Sequence, residues 1–216
     1  MNIEQLITRY PRIYHMAEQG TWDSIRRRGL LSTSATLDLF AVTGAARAAY
    51  ETRQRTTMMA VSQGGADRIV LRDQKPMPPE RLERALSDGT SPAEWYALIN
   101  SKVFFWAQEH RLLTLLNARD YRHKEHDVLT VESETLVRQH AQRVRLCPMN
   151  SGNTWPMPHR RGAGVFQSIA DYPVRPNGAP IKEVVEIVVE HSVPDIARHV
   201  IEVRRMKGAD VLAKIA

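Results

Sequence analysis

The chain has 216 residues, enough to bury a full hydrophobic core, and 43% of them are apolar, which excludes a wholly disordered protein. Thirty basic against 24 acidic side chains give a net charge of +6 and a pI near 9.7, a balance that favours an anionic partner such as a nucleic acid or a nucleotide. The single cysteine, Cys147, excludes an internal disulfide and has no Cys or His neighbours at zinc-finger spacing.

No apolar run approaches the roughly 20 residues a membrane helix needs. Met1-Asn2-Ile3-Glu4 lacks the basic-then-apolar pattern of a signal peptide, so a cytoplasmic protein with no membrane contact is expected. No linker-like tract divides the chain, and residues 1–216 are expected to form one domain.

In chain order, Ile13-Tyr14 favours a strand that places His15 near its carboxyl end, and Gln19-Gly20 breaks it. Thr21 is placed to cap a helix carrying Trp22 and Ile25, with Arg26 to Arg28 in its last turn and Gly29 as its C-cap. Residues 35–50 read as one bent helix or two short ones, with Gly44 the weak point. A short strand over 68–72 puts Arg72 at a strand end, and Pro76, Pro78 and Pro79 stiffen the loop before a helix over 80–86. Ser91-Pro92-Ala93-Glu94 opens a helix through Ile99, which leads into the aromatic strand Lys102 to Trp106 and a leucine-rich helix over 109–116. A strand over 127–131, a helix from Ser133 to about Ala141 and a short strand over 144–146 follow.

Between Pro148 and Pro180 the chain turns rich in Pro, Gly and Asn. Trp155, Phe166, Ile169 and Tyr172 in this stretch favour an ordered loop, a wall or lid, over a disordered linker. A last long strand over 181–190 sets Glu186 between Val184 and Val188 on one face. A carboxylate there either faces solvent or is held in a cleft, and the pattern leaves both open. His199 to Val203 is placed to add an edge strand.

Tyr14-His15 followed by a helix and Gly29-Leu30-Leu31-Ser32, and much later Glu186-Ile187-Val188-Val189 with Val193-Pro194, resemble the opening and closing motifs of DarT-type ADP-ribosyltransferases. Those enzymes transfer ADP-ribose from NAD to DNA bases. The resemblance implies an α+β fold built on a split mixed β-sheet with surrounding helices, NAD as co-substrate, and a toxin or phage-defence role. It implies that Tyr14 and His15 bind NAD and that Glu186 is catalytic. Arg72 is the position most similar to the family's catalytic arginine, while Arg111 also echoes a family position and would hold the cofactor. Met16-Ala17 departs from the small hydroxyl residue usual two places after the histidine. The run Tyr-His-Met-Ala-Glu with Gly-Leu-Leu-Ser-Thr-Ser also resembles an uncharacterised bacterial family.

The implied chemistry suits these residue types. Cleaving the nicotinamide–ribose bond builds positive charge on the ribose, which a carboxylate can stabilise while it accepts a proton from the acceptor. An arginine can pair with the pyrophosphate, and no metal is needed. The rival carboxylate is Glu183. The long loop is expected to lie beside the cleft and to present Asn153, His159, Arg160 and Arg161 to the nucleic acid, DNA rather than RNA, with an antitoxin or immunity protein as a further candidate partner. Two readings compete: a nucleic-acid-binding module without catalysis, and a metal-independent nuclease using His15, His159 or His191.

Overall fold

The computed structural model describes residues 1–62 and 68–216. Its first third runs α1 (Ile3–Arg9), β1 (Arg12–Glu18), α2 (Trp22–Arg28), β2 (Leu30–Leu31), α3 (Thr33–Leu39), α4 (Gly44–Glu51), β3 (Met59–Ser62) and β4 (Arg68–Leu71). The middle contains α5 (Pro79–Ala85), α6 (Pro92–Asn100), β5 (Lys102–Trp106), α7 (Glu109–Leu116), β6 (Glu125–Glu132), α8 (Ser133–His140) and β7 (Val144–Cys147). The last part adds β8 (Gln167–Ser168), β9 (Glu186–Glu190), β10 (Ser192–Val193), β11 (Val200–Lys207) and β12 (Asp210–Lys214). This is an α+β architecture of helices around one large antiparallel sheet. Among the described residues no helix is long and apolar enough to cross a membrane.

Eight strands form the main sheet in the order β12-β11-β6-β1-β5-β9-β7-β8. Every pairing in it is antiparallel, so the expected mixture of parallel and antiparallel strands is not found. The sheet is nearly divided in the middle. β1 pairs with β6 over seven positions, but its register with β5 consists of Tyr14↔Trp106 alone. Beyond that pair the two strands part. Alternation then sorts the side chains: Ile13, Phe105, Ile187 and Val189 join the main core, while Tyr14 and Met16 pack on the other face with Leu112, Leu116, Val128 and Met206.

The two ends of the chain meet beside this division. β2 pairs with β10, Leu30 opposite Val193 and Leu31 opposite Ser192. Gly29 makes the approach possible, since its φ is +84° and a Cβ there would lie 2.5 Å from Pro194 Cα. Thr21 does not cap α2 as expected; its hydroxyl instead donates to the Glu18 carbonyl. Residues 35–50 contain parts of two helices broken between Leu39 and Gly44. The expected strand over 181–190 begins only at Glu186, because Val184 N–H donates to the Tyr10 hydroxyl and leaves the ladder. β11 is an inner strand, and β12, which the pattern did not signal, takes the edge.

Candidate active site

A cleft of about 890 Å³ opens where β1 and β5 part, near the upper end of the roughly 300–1,000 Å³ range of small-molecule sites. His15 stands in the gap. Its Nδ1 lies 2.8 Å from the Phe104 carbonyl oxygen and donates to it, so the ring replaces a ladder bond that the diverging strands cannot make. Burial pushes the His15 pKa down to about 4, with Arg72 adding to the effect, so the ring is neutral at pH 7 and Nε2 is its acceptor.

Glu186, the first residue of β9, lines the same cleft. It lies in one lateral row with Tyr14, Trp106 and Cys147 across four adjacent strands. Glu186 is 5% exposed, and its carboxylate accepts the Ser151 N–H at 3.2 Å on both oxygens. Burial raises its pKa to about 7, against the opposing pull of the Ser151 and Cys147 hydrogen bonds and of Arg161. A carboxyl poised near neutrality in a cleft can exchange protons with a bound substrate. Glu183 differs: it is half exposed on its side chain and bound by Arg111 and Gln108, which hold its pKa low.

Arg72 follows β4 and also lines the cleft. Its guanidinium lies 5.1 Å from the Tyr121 ring centroid, Nη1 is 3.5 Å from His126 Nδ1, and Nη2 is buried without a hydrogen-bond partner among the described residues. A buried donor left open beside a cleft is suited to an anionic ligand. The segment carrying Arg72 is held by a buried network that composition did not signal. Arg55 Nε donates to the Arg72 carbonyl, and Asn100 Oδ1 accepts from Arg55, Thr33 and Gln74. Arg111 lines the cleft as well, but its Nη2 donates to Glu183 at 2.6 Å and its Nε to Gln108.

Three other expectations change. Tyr14 does not line the cleft; its side chain packs into the second core with Met16, Leu112 and Leu116. Arg161 is not presented to an acceptor: it is 1% exposed and donates to the carbonyls of His159, Ser151 and Asn153, tying the long loop together. His159 and Arg160 are exposed but outside the cleft lining. Asn153 does line it, with its Oδ1 accepting from Trp155 N–H. Of the histidines considered for a nuclease, His15 lines the cleft, whereas His159 does not and His191 lies at the surface bonded to Asp38.

Among the described residues one metal-like group, His140, Asp195 and His199, lies away from the cleft. Arg143 donates to His140 Nδ1 at 2.7 Å, which places the ring proton on Nε2, where it is given to Asp195 at 2.8 Å. That nitrogen has no lone pair for a cation, and the group serves as a tie between α8 and the turn before β11.

Residues 11–200 match the model of a family of unknown function, DUF7002. Comparison with curated proteins and with solved structures gave no match.

Proposed function

The chain belongs to the DUF7002 family, and we propose that it is an NAD-dependent ADP-ribosyltransferase whose acceptor is a nucleic acid. The observation that carries this reading is the pairing, in one cleft at a parted sheet, of a neutral His15 with a buried Glu186 poised near pH 7. The parting of β1 from β5 is taken as the split of an ADP-ribosyltransferase-like sheet. NAD lies in the cleft with His15 Nε2 accepting from a ribose hydroxyl and the open Arg72 donor facing the pyrophosphate. The nicotinamide C–N bond breaks, and nicotinamide leaves with the electron pair. The acceptor's nucleophile bonds the ribose C1′ and passes its proton to the Glu186 carboxylate.

Arg28, Arg55, Arg68, Arg72, Lys102 and Arg111 against Glu18, Asp73, Asp120 and Glu186 make the cleft lining net basic, which suits both an anionic dinucleotide and an anionic acceptor. A non-catalytic binding module gives no use to a buried carboxylate, which is why the transferase reading is preferred. The test is mass spectrometry of oligonucleotides after incubation with the protein and NAD. An added ADP-ribose, absent with Glu186→Gln, supports the reading; oligonucleotide binding with no nicotinamide release would leave the binding module instead.

A further inference from the structure

Trp155 lies on the long loop four residues after Ser151, whose N–H binds Glu186, and it lines the same cleft. It is 56% exposed and is the most exposed aromatic side chain among the described residues. An indole left in water is unfavourable, yet this one is held firmly. The Arg81 guanidinium stacks on it with Cζ 3.5 Å from the ring centroid, and its nitrogens donate to the carbonyls on both sides of Trp155, Thr154 at 3.1 Å and Pro156 at 2.6 Å. Thr154 is itself anchored, its N–H and hydroxyl both donating to the Pro76 carbonyl. One face of the indole is therefore occupied by a cation fixed to the backbone, and the other is a flat, open π surface at the cleft.

We propose that the Trp155–Arg81 pair is a stacking platform for an unpaired nucleobase of a single-stranded acceptor. Three features select this occupant. The open face accepts any planar π system, and the ring is already ordered, so stacking on it immobilises little. The neighbouring His159 and Arg160 are exposed and can follow an anionic backbone leaving the platform. Bases within an intact duplex are already stacked on both faces and cannot offer one to the indole, which limits the occupant to a single strand. This inference rests on the transferase reading for the nature of the acceptor, and it adds the residue that grips it and the strand form required.

The experiment measures binding of fluorescent single-stranded and duplex DNA 12-mers to the full chain without NAD, for wild type, Trp155→Ala and Trp155→Phe. Trp155→Ala should weaken single-strand binding by about 5- to 150-fold, the range for loss of one base–aromatic stack, and Trp155→Phe should restore most of it. The salt dependence should keep its slope, because an indole neutralises no phosphate. NAD affinity and melting temperature should not change. Unchanged single-strand affinity, an equal loss on duplex, or a loss of NAD affinity instead would overturn the platform, as would a wild type that binds no single strand. Nicotinamide release from NAD, and its dependence on Glu186, is read separately, so failure of the platform and failure of the transferase reading give different results.

Discussion

His15 Nδ1 donates to the Phe104 carbonyl oxygen at 2.8 Å across the line where β1 and β5 separate. The histidine thus has two roles on one ring: one nitrogen closes a gap in the sheet, and the other is left as an acceptor at the cleft. Asparagine can reproduce the donor toward Phe104 but has no acceptor at the Nε2 position. His15→Asn should therefore keep a near-native melting temperature and lose NAD affinity by roughly tenfold, the usual size of one lost hydrogen bond in a site. Because the ring is neutral above its depressed pKa, wild-type affinity should show no His15 titration between pH 6 and 8. Calorimetry with unchanged affinity in the variant would remove His15 from the nucleotide site.

Glu186 provides the pH test. Its folded pKa of about 7 lies above the ordinary carboxylate value of 4.5, so the folded state holds a proton that the unfolded state has released between those two pH values. Stability therefore falls as pH rises through that window, and the full cost, roughly 3 kcal/mol, is present above pH 7. Glu186→Gln keeps an acceptor for Ser151 N–H and removes the charge. It should raise the melting temperature at pH 8, leave it little changed at pH 4.5, and abolish transfer at both. Wild-type activity, if carboxylate is the working form, should rise with pH around 7.

The features legible in the sequence were those set by local rules. The Ser91-Pro92-Ala93-Glu94 run does open α6 as expected, and in the structure Ser91 and Glu94 complete a capping box, because a cap needs only residues three apart. The same signature at Asn2 and Gln5 opens α1 and was available to the same reasoning. β12 was not legible, since all five of its side chains are exposed and an edge strand without a buried face has no period-two pattern. At the site, His15 and Glu186 stood out as polar residues in strand-like runs, and they do share the cleft. The roles of Arg161 and Arg55 were hidden. A buried arginine that donates to backbone carbonyls has no partner of opposite charge nearby in the sequence, so composition assigns it to the surface.

The loop arginines separate by burial. Arg161 donates to three carbonyls of its own loop while 1% exposed, so truncation leaves buried acceptors without donors. Arg161→Ala should destabilise the protein by about 3 kcal/mol, read as a lowered denaturation midpoint. Arg160 is exposed, and Arg160→Ala should leave the midpoint unchanged. If Arg160 meets a phosphate, the same variant should reduce the log-log salt slope of oligonucleotide binding by about one. Equal stability effects in the two variants would contradict the loop structure.

The choice between Arg72 and Arg111 follows from which guanidinium is already engaged. Arg111 is paired with Glu183 and bonded to Gln108, and a ligand would have to compete with both. Arg72 has a buried Nη2 with no partner among the described residues, on a segment locked by Arg55 and Asn100. A charge-assisted hydrogen bond to a pyrophosphate is worth about 1.5–3 kcal/mol, so Arg72→Ala should weaken NAD binding by about 10- to 150-fold. Arg72→Lys should recover only part, because an ammonium cannot reproduce the planar fork that also lies against Tyr121. Arg111→Ala and Glu183→Ala should each change NAD affinity by less than about threefold, in line with the small worth of a partly exposed ion pair. Titration calorimetry on the four variants decides the matter: a loss in Arg111→Ala that matches Arg72→Ala would move the pyrophosphate to the Arg111 side of the cleft.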